Sequence, residues 1–100
     1  LEFRRVLFRS HAGWLETSVM LHLAPERVDL ASAASGNTTS LGDLMERLRS
    51  GGVASVSTNG VLGDPNPASA ADGAQVVAAW CADLVESFDG WFDTVGRNRA

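Results

Sequence analysis

The sequence predicts an α/β fold, and three observations carry the prediction. A wide apolar stripe at helical spacing runs from Val77 to Phe92. Two shorter segments earlier in the chain repeat apolar residues every three to four positions. Between them and the long stripe, Val53–Ser57 is partly β-branched and bounded by Gly51-Gly52 and Thr58-Asn59-Gly60, the pattern of a short strand entering a tight turn.

The elements follow in order. Residues 1–10, LEFRRVLFRS, have the Arg-rich look of a targeting peptide. Residues 2–10, however, match codon by codon the translation of a widely used sequencing-library adapter, GAG TTC AGA CGT GTG CTC TTC CGA TCT. We therefore expect residues 1–10 to be an adapter-derived artefact outside the fold, with the folded segment beginning at His11. From Trp14 to Leu23, Leu15, Val19 and Leu23 recur every four positions beside Met20, which predicts an amphipathic helix. Pro25 ends it, because proline lacks the amide donor and disfavours helical geometry at Ala24. Pro25–Val28 then starts a new turn or a short second helix. Residues 31–40, ASAASGNTTS, read as a surface loop.

Leu41, Leu44, Met45 and Leu48 share one side of a further helix, closed by Gly51-Gly52. After the expected strand, Asn59-Gly60 permits a return through Val61-Leu62. Gly63-Asp64-Pro65-Asn66-Pro67 forbids regular structure, and Asp64 can bond the backbone just beyond itself. Ser69-Ala70-Ala71-Asp72 has the spacing of a capping box. Behind it, Val77, Cys81, Leu84, Phe88 and Trp91, flanked by Trp80, Val85 and Phe92, predict a helix from Ala70 to Phe92 packed on a sheet. Residues 96–100 form a tail expected to fray. No internal repeat is present.

Composition narrows the function classes. The 100 residues are 45% apolar and 20% charged, an ordinary globular balance. All eight basic residues are Arg. Residues 11–100 hold five Arg against eleven Asp and Glu, a formal charge of −6. Such an acidic body argues against nucleic acid and against an anionic membrane surface. The single cysteine, Cys81, excludes an internal disulfide framework and fits a reducing, cytoplasmic compartment. No apolar run approaches the roughly 20 residues that span a bilayer.

Chemistry concentrates at one place. His11-Ala12-Gly13 precedes a helix whose first turn carries Glu16. Free amides and the helix dipole there favour an ionised carboxylate. Glu16 can bind a metal, hold the histidine in one tautomer, or cap the helix, and chemistry alone favours the cap. His22 reads as a core or interface histidine, and Cys81 as an inert packing residue on the buried stripe. Ser55, Ser57 and Ser69 lack the strand-to-helix elbow of a nucleophilic serine. Gly60–Pro65 matches no phosphate-loop spacing.

The segment His11-Ala-Gly-x-x-Glu16-Thr17-Ser18, followed by Met20-Leu21 and Leu23-Ala24-Pro25-Glu26, resembles the His-Ala-Gly-x-x-Glu-Thr-Ser segment of the creatininase family. A second block, Gly51-Gly52-Val53-Ala54-Ser55-Val56-Ser57-x-x-Gly60-Val61-Leu62-Gly63-Asp64-Pro65 and then Ala68-Ser69-Ala70, is similar to the mycofactocin-system branch of that family. The resemblance implies that residues 11–95 are the C-terminal portion of a three-layer α/β/α domain. It further implies a dinuclear site of divalent metal ions (zinc, manganese or iron) that activates water to attack an amide carbonyl. His11 would line the active site for proton transfer or substrate contact, which suits an imidazole. Glu16 would be a metal ligand or a support behind one. The family's main ligands lie on Glu-x-His, Asp and Asn-Gly-His segments absent from this chain, and its substrate-contacting positions before the histidine fall on Leu7 and Phe8.

The expected function is therefore a fragment of a metal-dependent hydrolase trimming a precursor peptide in mycofactocin biosynthesis, inactive by itself and homo-oligomeric in the parent protein. Hydrolysis of creatinine or another small cyclic amide is the sibling reading. A non-catalytic helical interaction module using the Val77–Phe92 stripe is the reading from another class.

Overall fold

The computed structural model describes the backbone of residues 11–99 and the side chains of residues 11–96. The segment expected to be an artefact, residues 1–10 with Leu7 and Phe8, lies outside the described residues.

Among the described residues three α-helices form: α1 (Trp14–Leu23), α2 (Leu41–Gly51) and α3 (Ala70–Arg99). The stripe in α1 and the stop at Pro25 produce a helix with the expected bounds, and Pro25–Arg27 follows as a single 3₁₀ turn. The α2 helix closes on Gly52, whose φ of 70° suits a residue without Cβ and whose amide donates to Leu48 O. Ser69 Oγ caps α3, accepting from Asp72 N at 3.1 Å. The other half of the expected capping box is replaced, because the Asp72 carboxylate instead accepts from Trp14 Nε1 at 3.2 Å. The helix continues past Phe92 to Arg99. Asp64 Oδ1 accepts from Asn66 N at 3.0 Å, the local bond its place before Pro65 predicted.

The α/β expectation is corrected in its β part. Val53–Ser55 is a 3₁₀ turn, not a strand, and the described residues are mostly helical. Among the described residues strand-like pairing is confined to Leu62, which bridges His11 antiparallel on one side and Asn37 parallel on the other. Three chain segments thus meet at one residue without extending into a ladder. Short β segments gain little until neighbours add further pairs, so Val53–Ser57 closes its hydrogen bonds locally, with Val56 N and Ser57 N both donating to Val53 O.

The core lies between α1 and the first third of α3. Leu15 and Val76 are almost fully buried and Val19 nearly so, with Trp14, Val77 and Trp80 packed around them. Burying side chains of this size contributes about 1.5–3 kcal/mol each. The Met20 and Leu23 end of the predicted stripe is exposed, so the working face of α1 is Leu15, Ser18 and Val19. Ser18, with no exposed surface, accepts from Ser69 N through Oγ at 3.2 Å. This bond and the Trp14–Asp72 bond bracket the apolar contact.

The expected sheet beneath α3 is therefore replaced by α1, and the buried face is turned toward Gly73 and Val76. Cys81 is corrected from a packing residue to an exposed one. Beyond it, Leu84, Val85, Phe88, Trp91 and Phe92 are 52–70% exposed. Phe88, Trp91 and Phe92 contact one another along the helix, Trp91 meeting Phe92 edge-on with centroids 5.1 Å apart. Trp91→Gln is expected to move the unfolding free energy of the α1–α3 unit by less than about 0.5 kcal/mol, the range for exposed substitutions, when followed by denaturant titration. A large loss of stability would show that this ring belongs to the fold's core.

Candidate functional site

The site begins where α1 begins. Gly13 is the N-cap residue, buried and extended, and offers no side chain to the free amides of the first turn. Just before it, Ala12 has φ of 54°, the left-handed region that costs an L-residue about 1–2 kcal/mol. Two side chains from the first turn of α1 reach back to the backbone of this residue. Glu16 Oε2 accepts from Ala12 N at 2.9 Å, and Thr17 Oγ1 approaches Ala12 O at 3.4 Å, a longer and weaker contact. The helix-capping use of Glu16 is the interaction observed, displaced by one residue because the carboxylate serves the amide preceding the N-cap.

His11 stands immediately before this bend with its side chain exposed. Its own backbone is held on both sides: His11 N donates to Leu62 O at 2.9 Å and Leu62 N donates to His11 O at 2.8 Å. The bridge to Leu62 is locked from the far side by Asn37 N on Val61 O at 3.0 Å and Gly63 N on Asn37 O at 2.9 Å. The Asn37 amide also donates to Val56 O at 2.8 Å, and the Asn59 amide donates to Ser35 O at 3.1 Å. Gly36 is required here, since a Cβ would fall 2.0 Å from Val61 O. The loop read as merely polar, residues 31–40, is thus the clamp on the segment that carries His11.

Beside this junction a cavity of about 290 Å³ opens between Ala12, Thr17, Asp29, Leu30, Asn59 and Val61. The Asp29 carboxylate already accepts from Ser32 Oγ at 2.6 Å. Of the two readings of His22, core or interface, the core one is corrected: it is exposed at the last turn of α1, with its Cβ facing Gly73. Ser57 is buried, its Oγ 2.8 Å from Val61 O and 3.0 Å from Asn59 Oδ1, a structural tie.

The structure brings His11 and Glu16 to the same bend through the Ala12 peptide. Among the described residues no group of three or more His, Cys, Asp or Glu side chains is placed to hold a metal ion. A pair of divalent ions therefore does not fit these residues alone. Sequence reasoning overlooked Thr17, Asn37 and Asn59 as organising residues. The signals were present in the His-Ala-Gly-x-x-Glu-Thr spacing and in asparagines beside glycine, which favour side-chain-to-backbone bonds. Among the described residues no helix is long and apolar enough to cross a membrane.

Comparison with known proteins gives a consistent answer. The mycofactocin precursor peptide peptidase of Mycolicibacterium smegmatis is 49% identical over 80 residues, which cover 77% of this chain and 32% of that protein. The proteins of the same description from Mycobacterium ulcerans and Mycobacterium tuberculosis are 45% identical over 82 residues and 47% over 81. The chain spans about a third of the length of these relatives. No solved structure matches it. The family model for Creatininase, described as creatinine amidohydrolase, matches residues 2–88, most of the chain, and the chain belongs to the creatininase family.

Proposed function

We propose that this chain is part of a hydrolase that cleaves an amide bond in a precursor peptide, the substrate class named for its mycofactocin-system relatives. The observation that carries the reading is the 45–49% identity to those peptidases over roughly four fifths of the chain. His11 is the residue that meets the substrate. Its imidazole is exposed, its backbone is pinned to Leu62, and the next residue, Ala12, lines the cavity together with Thr17. An imidazole so placed can take a proton from an attacking water or give one to the departing amine.

The family's chemistry relies on divalent metal ions such as zinc, manganese or iron, which activate water and polarise a carbonyl. The described residues do not supply such a site, so this chain's own part is to present His11 and the cavity wall. The ligands and the rest of the α/β/α layering belong to the remainder of the domain, with the three segments that meet at Leu62 forming one edge of its sheet. The exposed stripe of α3 suits contact with further protein surface, from the same domain or from a second subunit of a homo-oligomer. The acidic chain and its single cysteine accord with a cytoplasmic protein that binds neither nucleic acid nor membrane.

The test is a graft. Residues 11–95 replace the matched stretch of the Mycolicibacterium smegmatis relative, and the product is assayed by mass spectrometry for cleavage of its precursor peptide and separately for loss of creatinine. Peptide cleavage by the graft and none by the isolated chain is the expected result. A folded graft that consumes creatinine and leaves the peptide intact would refute the reading.

A further inference from the structure

Among the described residues Ala12 is the single non-glycine residue with positive φ, and it lies between the exposed His11 and the start of α1. An L-residue stays in that region when its neighbours hold it there. The neighbours are Glu16, whose Oε2 accepts from Ala12 N at 2.9 Å, and Thr17, whose Oγ1 lies 3.4 Å from Ala12 O. Both reach back from the first turn of α1, so one rigid element grips the two peptide groups that flank the Ala12 Cα. On its other side His11 is tied to Leu62 by two backbone bonds. His11 and α1 are therefore joined through the gripped Ala12, and the orientation of the imidazole relative to α1 depends on the conformation held at that residue.

We propose that Glu16 is a positioning residue: it aims His11 by holding Ala12 in the left-handed conformation, acting through a hydrogen bond to the backbone and not through its charge on a metal ion or substrate. Thr17 is the weaker second arm of the same clamp. The proposal rests on the reading of His11 as the residue that meets the substrate, but its first test does not. A hydrogen-bond acceptor is all the clamp needs, and the amide oxygen of glutamine is one.

In the 100-residue chain, amide exchange followed by NMR should show Ala12 N–H exchanging about tenfold faster in Glu16→Ala, and within about threefold of the original rate in Glu16→Gln. Unchanged exchange in Glu16→Ala overturns the clamp, whatever the activity of the parent domain. In the graft described above, Glu16→Ala should lower kcat about 100-fold, the scale of a catalytic group displaced by about 1 Å, with KM changed much less. Glu16→Gln should retain most of kcat, and Ala12→Gly should recover part of the loss in Glu16→Ala, because glycine reaches positive φ without help. Equal losses in Glu16→Ala and Glu16→Gln, with bound metal lost from both, would make Glu16 a ligand and overturn the proposal.

Discussion

Gly73→Ala is expected to destabilise the α1–α3 unit by about 3 kcal/mol, the upper part of the range for overpacking a close contact. A Cβ at this position would fall 1.8 Å from Ser18 O and 2.5 Å from Ser18 C. Those are backbone atoms within a helix, so no side-chain rotation relieves the overlap and α3 must retreat from α1. Retreat stretches the Ser18–Ser69 and Trp14–Asp72 hydrogen bonds and opens the contact between Leu15 and Val76. Small domains have little stability to lose, so the substituted chain should lose cooperative unfolding altogether. Circular dichroism during urea titration checks this, with Gly42→Ala as the comparison, since nothing lies within 4 Å of a Cβ there. A Gly73→Ala chain that unfolds at the same urea concentration as the original would show that the two helices do not approach as closely as described.

His11→Ala in the graft is expected to lower kcat for peptide cleavage by about 10²- to 10⁴-fold, the usual contribution of a group that moves a proton in the transition state. The fold should be indifferent to the change. The side chain is exposed, and the bridge to Leu62 is made by backbone atoms that alanine also has. Activity and unfolding midpoint measured on the same preparation separate the two effects. Loss of activity with the midpoint unchanged assigns His11 to the chemistry, whereas a kcat reduced less than tenfold would remove it from that role. The contrast with Glu16→Gln, which should preserve most of kcat, distinguishes the residue that acts from the residue that aims it.

The helical part of the fold was legible because its determinants are local. Leu15 and Val19 one turn apart, Pro25 just beyond, Gly52 at the end of α2 and Ser69 before α3 each act through their own few neighbours. Val53–Ser57 misled for the complementary reason. Its β-branched residues favour extended structure only where adjoining strands accept the hydrogen bonds, and here Val53 O receives them locally. Cys81 misled because a stripe identifies an apolar face without identifying its cover. The α1 helix covers Val76 and Val77 and ends before Leu84, Phe88 and Trp91, which stay exposed.

At the candidate site the motif itself was readable in the residue order: a histidine, a bend at Ala12-Gly13, and a carboxylate in the first helical turn. The purpose of Glu16 was not, because metal ligand, tautomer holder and cap share one spacing, and only the 2.9 Å approach to Ala12 N identifies the interaction it makes. Residue order alone determined where α1 and α3 begin, the acidic charge of the body and the family of the chain, since each depends on identity and short spacing. Tertiary structure alone decided which face of α3 is buried, that Leu62 joins His11 to Asn37, and that Gly73 sits against the Ser18 backbone. Those contacts join segments 25 to 55 positions apart, for which the linear sequence carries no distance; chain closure and close packing set them together.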